Sequence, residues 1–265
     1  LSGIETVKKL VDEFDKLSDQ ICTVGLGIPG FSSKETGFVT NANSMWLNDK
    51  PFKKDLETAL KREVKLMNDA NCFTLSEAVD GAGKDYQSIF GIIVGTGFGG
   101  ALSYKKEIIE GANQIAGDWG HQPLPYPTKE EIETKINCPS MNCGRSLCAE
   151  QFMSGIGFKD VFNQKNNTNF SSEEIVQLDL DGDPRANLEL SLYEDRMARL
   201  MAVMIGIFDP DAIILGGGMS NIDRLYKNIP ALIPKYTFSN KVITKVIKNL
   251  HGDSSGVRGA AWLWN

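Results

Sequence analysis

The stretch that decides the fold is residues 89–104, IFGIIVGTGFGGALSY. Its apolar first part, Ile89–Val94, predicts a buried strand that ends at the glycines of 95–100. The chain then resumes at Ala101 with a second strand-like run. We therefore predict a β-hairpin with a glycine-rich turn.

The glycines of this turn, Gly95, Gly97 and Gly100, formally match the GxGxxG fingerprint of dinucleotide-binding proteins. That fingerprint requires a helix after the glycines, whereas a strand is predicted here, so a nicotinamide cofactor is disfavoured. The backbone N–H groups of such a turn can instead hold phosphate oxygens, with the Thr96 hydroxyl as a further donor. A turn without a ligand remains the alternative.

A second glycine cluster, Gly216–Gly218, follows a short strand predicted over 212–215. Before it lies the most periodic helical pattern of the chain, residues 185–208. Three consecutive glycines allow a flat or phosphorylated ligand to approach the backbone closely. A tight strand-to-helix turn explains them equally well.

The segments before the hairpin alternate between helical and strand-like patterns. Helices are predicted over 4–17, 52–63 and from 71 onward, and strands over 22–28 and 64–68. Such alternation is typical of an α/β sheet. Residues 105–150, rich in proline and cysteine, are expected to be irregular.

One carboxylate, Asp69, lies where the strand 64–68 gives way to a helix. Ligands of open α/β sheets bind at the carboxyl ends of the strands, so Asp69 is a candidate general base. Its neighbour Asn68 belongs to the same junction. The alternative is that these side chains only cap the helix, a role that Asp and Asn commonly fill.

Three of the five cysteines, Cys138, Cys143 and Cys148, fall within one irregular segment, and His121 precedes them. These residues can form a Cys3His tetrahedral zinc site, whose four protein ligands would give it a structural role. The spacing is unlike that of a disulfide scaffold. Unligated thiols remain the alternative.

Composition limits the class of partner. The 265 residues carry a formal net charge of -6, and their basic side chains are scattered, so a nucleic-acid partner is disfavoured. No apolar run approaches the roughly 20 residues that cross a bilayer, and no leader pattern is seen. These patterns favour a cytoplasmic protein with a small-molecule partner and no membrane.

Six motifs occur in the order expected of the ROK family of sugar kinases and repressors, which this chain resembles throughout its length. They are Gly25-x-Gly27-Ile28-Pro29-Gly30, Asn68-Asp69-Ala70-Asn71, Gly95-Thr96-Gly97, Gly117-Asp118-Trp119-Gly120-His121, Cys143-Gly144-x3-Cys148-x-Glu150 and Leu215-Gly216-Gly217-Gly218. The stretch 41–48 and the tail 251–262 look most like bacterial fructokinases of the manno(fructo)kinase kind.

The resemblance implies a two-domain α/β fold of the hexokinase and actin-like class, with the active site in the cleft between domains. Residues 1–73, rejoined by 253–265, would form the small domain, and 74–252 the large domain with its zinc loop. It further implies a homodimer that phosphorylates a hexose with ATP and Mg²⁺, most simply fructose to fructose 6-phosphate. An N-acetylglucosamine or glucose kinase, and a non-catalytic sugar-binding or regulatory protein, are the alternatives.

The same resemblance implies a role for each motif residue. Asp69 would be the catalytic base. The sugar would be bound by Asn43, Asn68, Asp118, His121 and Glu150. The ATP phosphates would face Gly95, Thr96 and Gly97, and the adenosine Gly216, Gly217 and Gly218. Zinc would be held by His121, Cys138, Cys143 and Cys148.

The sequence departs from the family pattern in three places. Asp118 stands where the family usually has Glu, and Met141 where it usually has a zinc cysteine, which leaves Cys138 as the substitute ligand. Family members also begin with a strand hairpin carrying Asp-x-Gly-Gly-Thr, which lines the ATP phosphates. No such motif precedes the first helix here, so we expect weak or absent kinase activity from these 265 residues alone.

Overall fold

A computed structural model of the chain describes residues 3–42, 44–134, 136–139 and 143–265. The strands are β1 (Val24–Ile28), β2 (Phe31–Ser32), β3 (Val39–Thr40), β4 (Val64–Asn68), β5 (Ser88–Val94), β6 (Phe98–Tyr104), β7 (Glu107–Ile108), β8 (Ala212–Gly216) and β9 (Lys245–Lys248). The helices are α1 (Gly3–Ser18), α2 (Phe52–Leu60), α3 (Asp69–Val79), α4 (Lys129–Ile132), α5 (Ala149–Met153), α6 (Gly155–Asn166), α7 (Ser172–Leu180), α8 (Pro184–Phe208), α9 (Arg224–Leu232) and α10 (Ser255–Trp262).

The predicted hairpin is at the centre of the largest sheet, whose strand order is β7-β6-β5-β8-β9. β5 and β6 pair antiparallel up to the pair Val94↔Phe98, so the glycine turn is closed by three residues, 95–97. β8 runs parallel to β5 on its other side. A strand after the glycines, in place of a helix, confirms that the GxGxxG pattern is not a dinucleotide fingerprint here.

A second parallel pair, β1 and β4, begins the α/β alternation, with Ile28 opposite Asn68 at the carboxyl ends. Helix α3 leaves this pair and packs against β5 and β6 of the large sheet, and α10 packs against both α3 and β1. Two glycines permit this contact, because a Cβ on Gly25 would overlap the Ala260 carbonyl and one on Gly259 would overlap that of Cys72.

The boundaries of several elements differ from the sequence-based prediction for local reasons. α2 ends at Leu60, before the predicted residue 63, because Lys61 adopts a left-handed conformation with a φ of 53°. α3 begins at Asp69, two residues early, because the Asn68 side chain caps it. The segment 105–150, expected to be irregular, contains β7 and the short helices α4 and α5.

Three apolar clusters form the core. The largest covers one face of the five-stranded sheet with side chains from α5, α6, α8 and α9, and a second lies between α1, α2 and the β1–β4 pair. The third lies under α3. Among the described residues, no helix is both long and apolar enough to cross a membrane.

Candidate active site

The carboxyl ends of β1 and β4 hold the first part of the site. The Asn68 side chain accepts hydrogen bonds from the amides of Ala70 at 2.9 Å and Asn71 at 3.3 Å, and its Nδ2 donates to the Gly30 carbonyl at 3.1 Å. Asn68 is therefore the N-cap of α3 and also ties β4 to the turn after β1. Asp69, the first residue of the helix, does not supply the cap.

The Asp69 carboxylate is accessible to solvent, and the amide of Ala70 donates to it at 2.8 Å. Protein atoms around it displace enough water that desolvation raises the pKa of this carboxyl, and the Ala70 amide only partly opposes the rise. A carboxylate with a raised pKa is a better proton acceptor than an ordinary Asp. Asp69 is thus available for proton transfer.

A cleft opens beside Asn68. Its lining includes Ile28, Phe31, Ser32, Asn68, Asn71 and Gln114. These side chains place hydrogen-bonding amides and one aromatic ring at the carboxyl ends of the strands. Sequence reasoning did not single out Asn71 or Gln114, although Asn71 belongs to the motif that marked Asp69. The predicted sugar ligand Asn43 lies outside the described residues.

Glu150 joins the glycine turn to the loop of His121. This buried side chain accepts a hydrogen bond from the Phe98 amide at 3.2 Å, and its own backbone N–H donates to the Gly120 carbonyl at 2.8 Å. A Cβ on Gly97 would lie 3.4 Å from the same carboxylate, so that glycine keeps the turn close to it. Glu150 therefore links the glycine turn 95–97 to the loop that carries His121.

The two glycine clusters meet at the carboxyl ends of the parallel strands β5 and β8. Gly216 is required by packing, because a Cβ there would overlap the Phe73 ring. Gly217 has a φ of 81° and lies against Val94, the residue before the first turn. Gly218, by contrast, has no protein atom within 4 Å of a Cβ built on it. Of the three glycines 216–218, Gly218 is thus the one that faces open space, as Gly95 does in the first cluster.

The predicted metal ligands also converge. One ligand atom from each of His121, Cys138, Cys143 and Cys148 lies within 4.8 Å of all the others. Cys143 Sγ and Cys148 Sγ are 3.9 Å apart, and Cys138 Sγ is 4.0 Å from His121 Nδ1. A tetrahedral ion with Zn–S bonds of about 2.3 Å would place two sulfurs about 3.8 Å apart. Donor types and spacing therefore fit a zinc ion.

The surroundings of this cluster are consistent with a closed site. Burial raises the pKa of the Cys148 thiol, and a cation would reverse that by stabilising the thiolate. Cys138 Sγ also lies 3.7 Å from Glu150 Oε1, which places the cluster beside the buried carboxylate. The Arg145 guanidinium donates to the His121 carbonyl at 2.9 Å and so helps to hold the histidine loop.

Asp118 lies in the same loop with an exposed side chain, between Gly117 and the buried Trp119. Gly117 has a φ of 86°, and a Cβ on Gly120 would overlap the Phe98 carbonyl. These glycines hold the loop against β6. Met141, the residue where the family usually has a zinc cysteine, lies outside the described residues.

The chain matches the ROK family over residues 2–265. It is 37% identical over 260 residues to the N-acetyl-D-glucosamine kinase of Vibrio cholerae, a match that covers 98% of this chain and 86% of that protein. The N-acetyl-D-glucosamine kinase of Pasteurella multocida is 37% identical over 263 residues, with the same coverage.

Solved structures confirm the fold. The ROK hexokinase of Thermus thermophilus superposes with a TM-score of 0.82 at 23% identity, over 97% of this chain and 84% of that one. The ROK glucokinase of Streptomyces griseus, in complex with glucose and AMPPNP, gives 0.80 at 22% identity, over 98% and 86%. The hexokinase-like α/β fold expected from the sequence is therefore present.

Proposed function

The chain belongs to the ROK family and is a sugar kinase, and we propose that it transfers the γ-phosphoryl group of ATP to N-acetyl-D-glucosamine. The curated relatives at 37% identity carry that activity. Fructose, the acceptor expected from the sequence motifs, finds no support among these relatives. The observation that carries the chemistry is the exposed Asp69 carboxylate with a raised pKa, directly after the carboxyl end of β4.

Asp69 would take the proton from the attacking sugar hydroxyl. Its raised pKa and its position beside the cleft of Asn68 and Asn71 support this role. A positioned general base contributes about 10²–10⁴-fold to such a transfer. The charge that develops on the phosphoryl oxygens would be met by the Thr96 hydroxyl, the Gly97 backbone N–H and Mg²⁺ that arrives with ATP, since the Gly95 N–H already donates to the Gly97 carbonyl at 3.0 Å.

The adenosine would lie against Gly218, the one glycine of its cluster whose surroundings are open. This position is next to the phosphate turn, because Ile93 of β5 pairs with Gly216 of β8. Ligands of α/β sheets bind where the carboxyl ends of such parallel strands meet. The two glycine clusters would thus bind the two ends of one nucleotide.

On the sugar side, the hydroxyl groups would be bound by His121, Glu150, Asn43, Asn68 and Asp118. His121 points Nδ1 toward Cys138, which leaves Nε2 as the ring nitrogen for a substrate. Zinc held by His121 and the three cysteines would have a closed set of four ligands, and when bound it would hold the loop in place.

The domain division and a homodimer are two further proposals. The division into a small domain of 1–73 with 253–265 and a large domain of 74–252 is supported by the packing of α10 on β1 and α3. A homodimer is proposed from the family resemblance, and Ile207 and Ile243, each 78% exposed, are among the large apolar side chains that a partner would cover. Sedimentation equilibrium would test the dimer, and a monomer at micromolar concentration would contradict it.

The acceptor is tested by ATP-dependent phosphorylation of N-acetyl-D-glucosamine, glucose, mannose and fructose by these 265 residues, with calorimetric binding of each sugar in parallel. We expect the highest kcat/KM and the tightest binding for N-acetyl-D-glucosamine. Binding without turnover would bear out the weak activity expected from the sequence. A preference for fructose in both measurements would overturn the proposed acceptor.

A further inference from the structure

A buried set of charges, the Glu131 clamp, attaches the loop that carries the metal cluster to α8. Glu131 belongs to α4 within that loop, and its partners Arg196 and Arg199 belong to α8. All three side chains are buried, with residue exposures of 3%, 1% and 2%. Glu131 Oε1 accepts from Arg196 Nε and from Arg199 Nη2, both at 2.7 Å, and Oε2 accepts from Arg199 Nη1 at 3.1 Å. None of these residues belongs to the motifs considered above.

The clamp holds the chain that leaves His121. Arg199 Nη1 donates to the carbonyls of Pro125 at 2.7 Å and Tyr126 at 2.8 Å, four and five residues beyond the histidine. Glu131 Oε2 accepts from the Thr128 amide at 2.8 Å and closes a capping box over α4. The excursion from His121 to Cys138 is therefore attached to α8 at its middle.

The clamp also reaches the other half of the site. The Arg196 guanidinium lies 5.1 Å from the ring centroid of Phe152, on α5, the helix that follows Cys148 and carries Glu150. The two halves are themselves joined, because the Leu124 amide donates to the Leu147 carbonyl at 2.7 Å. One rigid helix thus supports both segments that supply metal ligands.

Burial of this many charges needs a reason beyond stability. Replacement of a buried ion pair by well-packed apolar side chains is often neutral or stabilising, so such a pair is weak evidence for stability by itself. A guanidinium that spans a carboxylate and two backbone carbonyls does, however, define the position of the backbone, which apolar contacts do not. The clamp therefore fixes the position of the loop backbone more than it stabilises the fold.

We propose that the Glu131 clamp positions His121 and Cys138, and so sets the zinc affinity of the cluster and the affinity of the site for its sugar. The inference rests on the proposed metal site and proposed function. Glu131, Arg196 and Arg199 are positioning residues, since they act through the loop. Supporting residues of metal ligands typically change metal affinity by about 10–100-fold when they are mutated.

The test compares Glu131→Gln with Glu194→Gln in the full chain. Glu194 is an apt control because it is likewise a buried glutamate paired with an arginine. It lies on α8, accepts from Arg224 Nε at 2.6 Å, and its hydrogen bonds go to Arg224 and Asn228 on α9, away from the metal loop. Zinc release to a chromogenic chelator, KM for N-acetyl-D-glucosamine and the unfolding temperature are measured for both. Arg199→Lys serves as a second variant, because an ammonium cannot bridge the carboxylate and both carbonyls.

We expect Glu131→Gln and Arg199→Lys to release zinc about 10-fold faster or more and to raise KM more than they lower kcat. Glu194→Gln should lower the unfolding temperature without either effect. Equal zinc release from the two glutamine variants would overturn the proposal. If the wild-type protein held no zinc, the proposed metal site would be wrong. The proposed role of the Glu131 clamp would then be overturned if Glu131→Gln left the KM for N-acetyl-D-glucosamine unchanged. If the wild-type protein phosphorylated no sugar, KM could not be measured, and the difference in zinc release between Glu131→Gln and Glu194→Gln would alone test the role of the clamp.

Discussion

Asn68 supplies the N-cap of α3, and the carboxylate of the next residue, Asp69, stays exposed to solvent while it shares the Ala70 amide with Asn68. The Asn68 side chain satisfies the amides of Ala70 and Asn71, which are among the four N–H groups that a helix leaves unpaired at its start. Both residues are good helix caps, so the sequence alone permitted either to take this role. Of these two adjacent residues, Asn68 therefore has the structural role and Asp69 is the catalytic candidate.

Asp69→Asn should abolish phosphoryl transfer while the fold persists. We expect kcat to fall by about 10²–10⁴-fold, because the amide cannot accept the proton of the sugar hydroxyl. The unfolding temperature should stay the same or rise, since folding raises the pKa of this carboxyl and its charged form therefore opposes folding at neutral pH. Steady-state kinetics and thermal unfolding check both parts. A variant with wild-type kcat would remove Asp69 from the mechanism.

Asn68→Ala is the matched structural counterpart. Loss of the cap should cost about 0.5–2 kcal/mol of unfolding free energy. The bond from Asn68 Nδ2 to the Gly30 carbonyl would also be lost, so the cleft should loosen and KM for the sugar should rise. Denaturant unfolding with kinetics of the same preparation measures the two effects. Equal stability of variant and wild type would contradict the capping role.

Gly216→Ala and Gly218→Ala should separate packing from ligand binding in one cluster. The first puts a methyl group into the Phe73 ring and should destabilise the fold by about 1–3 kcal/mol. The second meets open space, so unfolding free energy should change by less than about 0.5 kcal/mol while KM for ATP rises. An unchanged KM for ATP in Gly218→Ala would argue against adenosine at this position.

Cys143→Ser should lose zinc and Cys22→Ser should keep it. Cys143 lies 3.9 Å from Cys148 within the metal cluster, whereas Cys22 lies in the chain between α1 and β1, where its amide donates to Asp15. The wild-type protein should carry about one zinc per chain if the four donors form a structural site. Elemental analysis after exhaustive dialysis gives the ratio. Zinc retained by Cys143→Ser would exclude that thiol as a ligand.

The contribution of the Asp15–Arg62 ion pair, which attaches α1, to the unfolding free energy should be lost in acid. Hydrogen bonds from the Arg62 guanidinium and the Cys22 amide lower the pKa of Asp15 to about 2. A carboxyl with a depressed pKa stabilises the fold fully above its unfolded pKa, near 3.8, and loses that contribution as the pH falls through 2. Asp15→Asn should therefore differ from wild type at pH 5 and converge with it near pH 2. Urea unfolding at a series of pH values is the measurement, and a constant difference would refute the assignment.

Much of the fold was predictable because its signals are local. The apolar run 89–94 interrupted by glycines specified the hairpin, and the missing helix after it ruled out the dinucleotide fingerprint. The convergence of His121, Cys138, Cys143 and Cys148 in one cluster was likewise predicted from residue types. Backbone geometry was less predictable: the left-handed Lys61, which ends α2 early, has no sequence signal comparable to glycine.

The sequence by itself determined which chemistry was available, since residue types and short spacings define the hairpin turn, the thiol cluster and the acidic strand end. Tertiary structure decided which residue takes which role and which segments come into contact. It assigned the helix cap to Asn68, brought Glu150 to the Phe98 amide across 52 residues, and placed Arg199 against a loop 68 residues away in the chain, at Glu131. The contacts of Glu150 and Arg199 join segments far apart in the chain, so no local pattern encodes them. The Asn68 cap is itself local, but the bond from Asn68 Nδ2 to the Gly30 carbonyl, 38 residues earlier, is not.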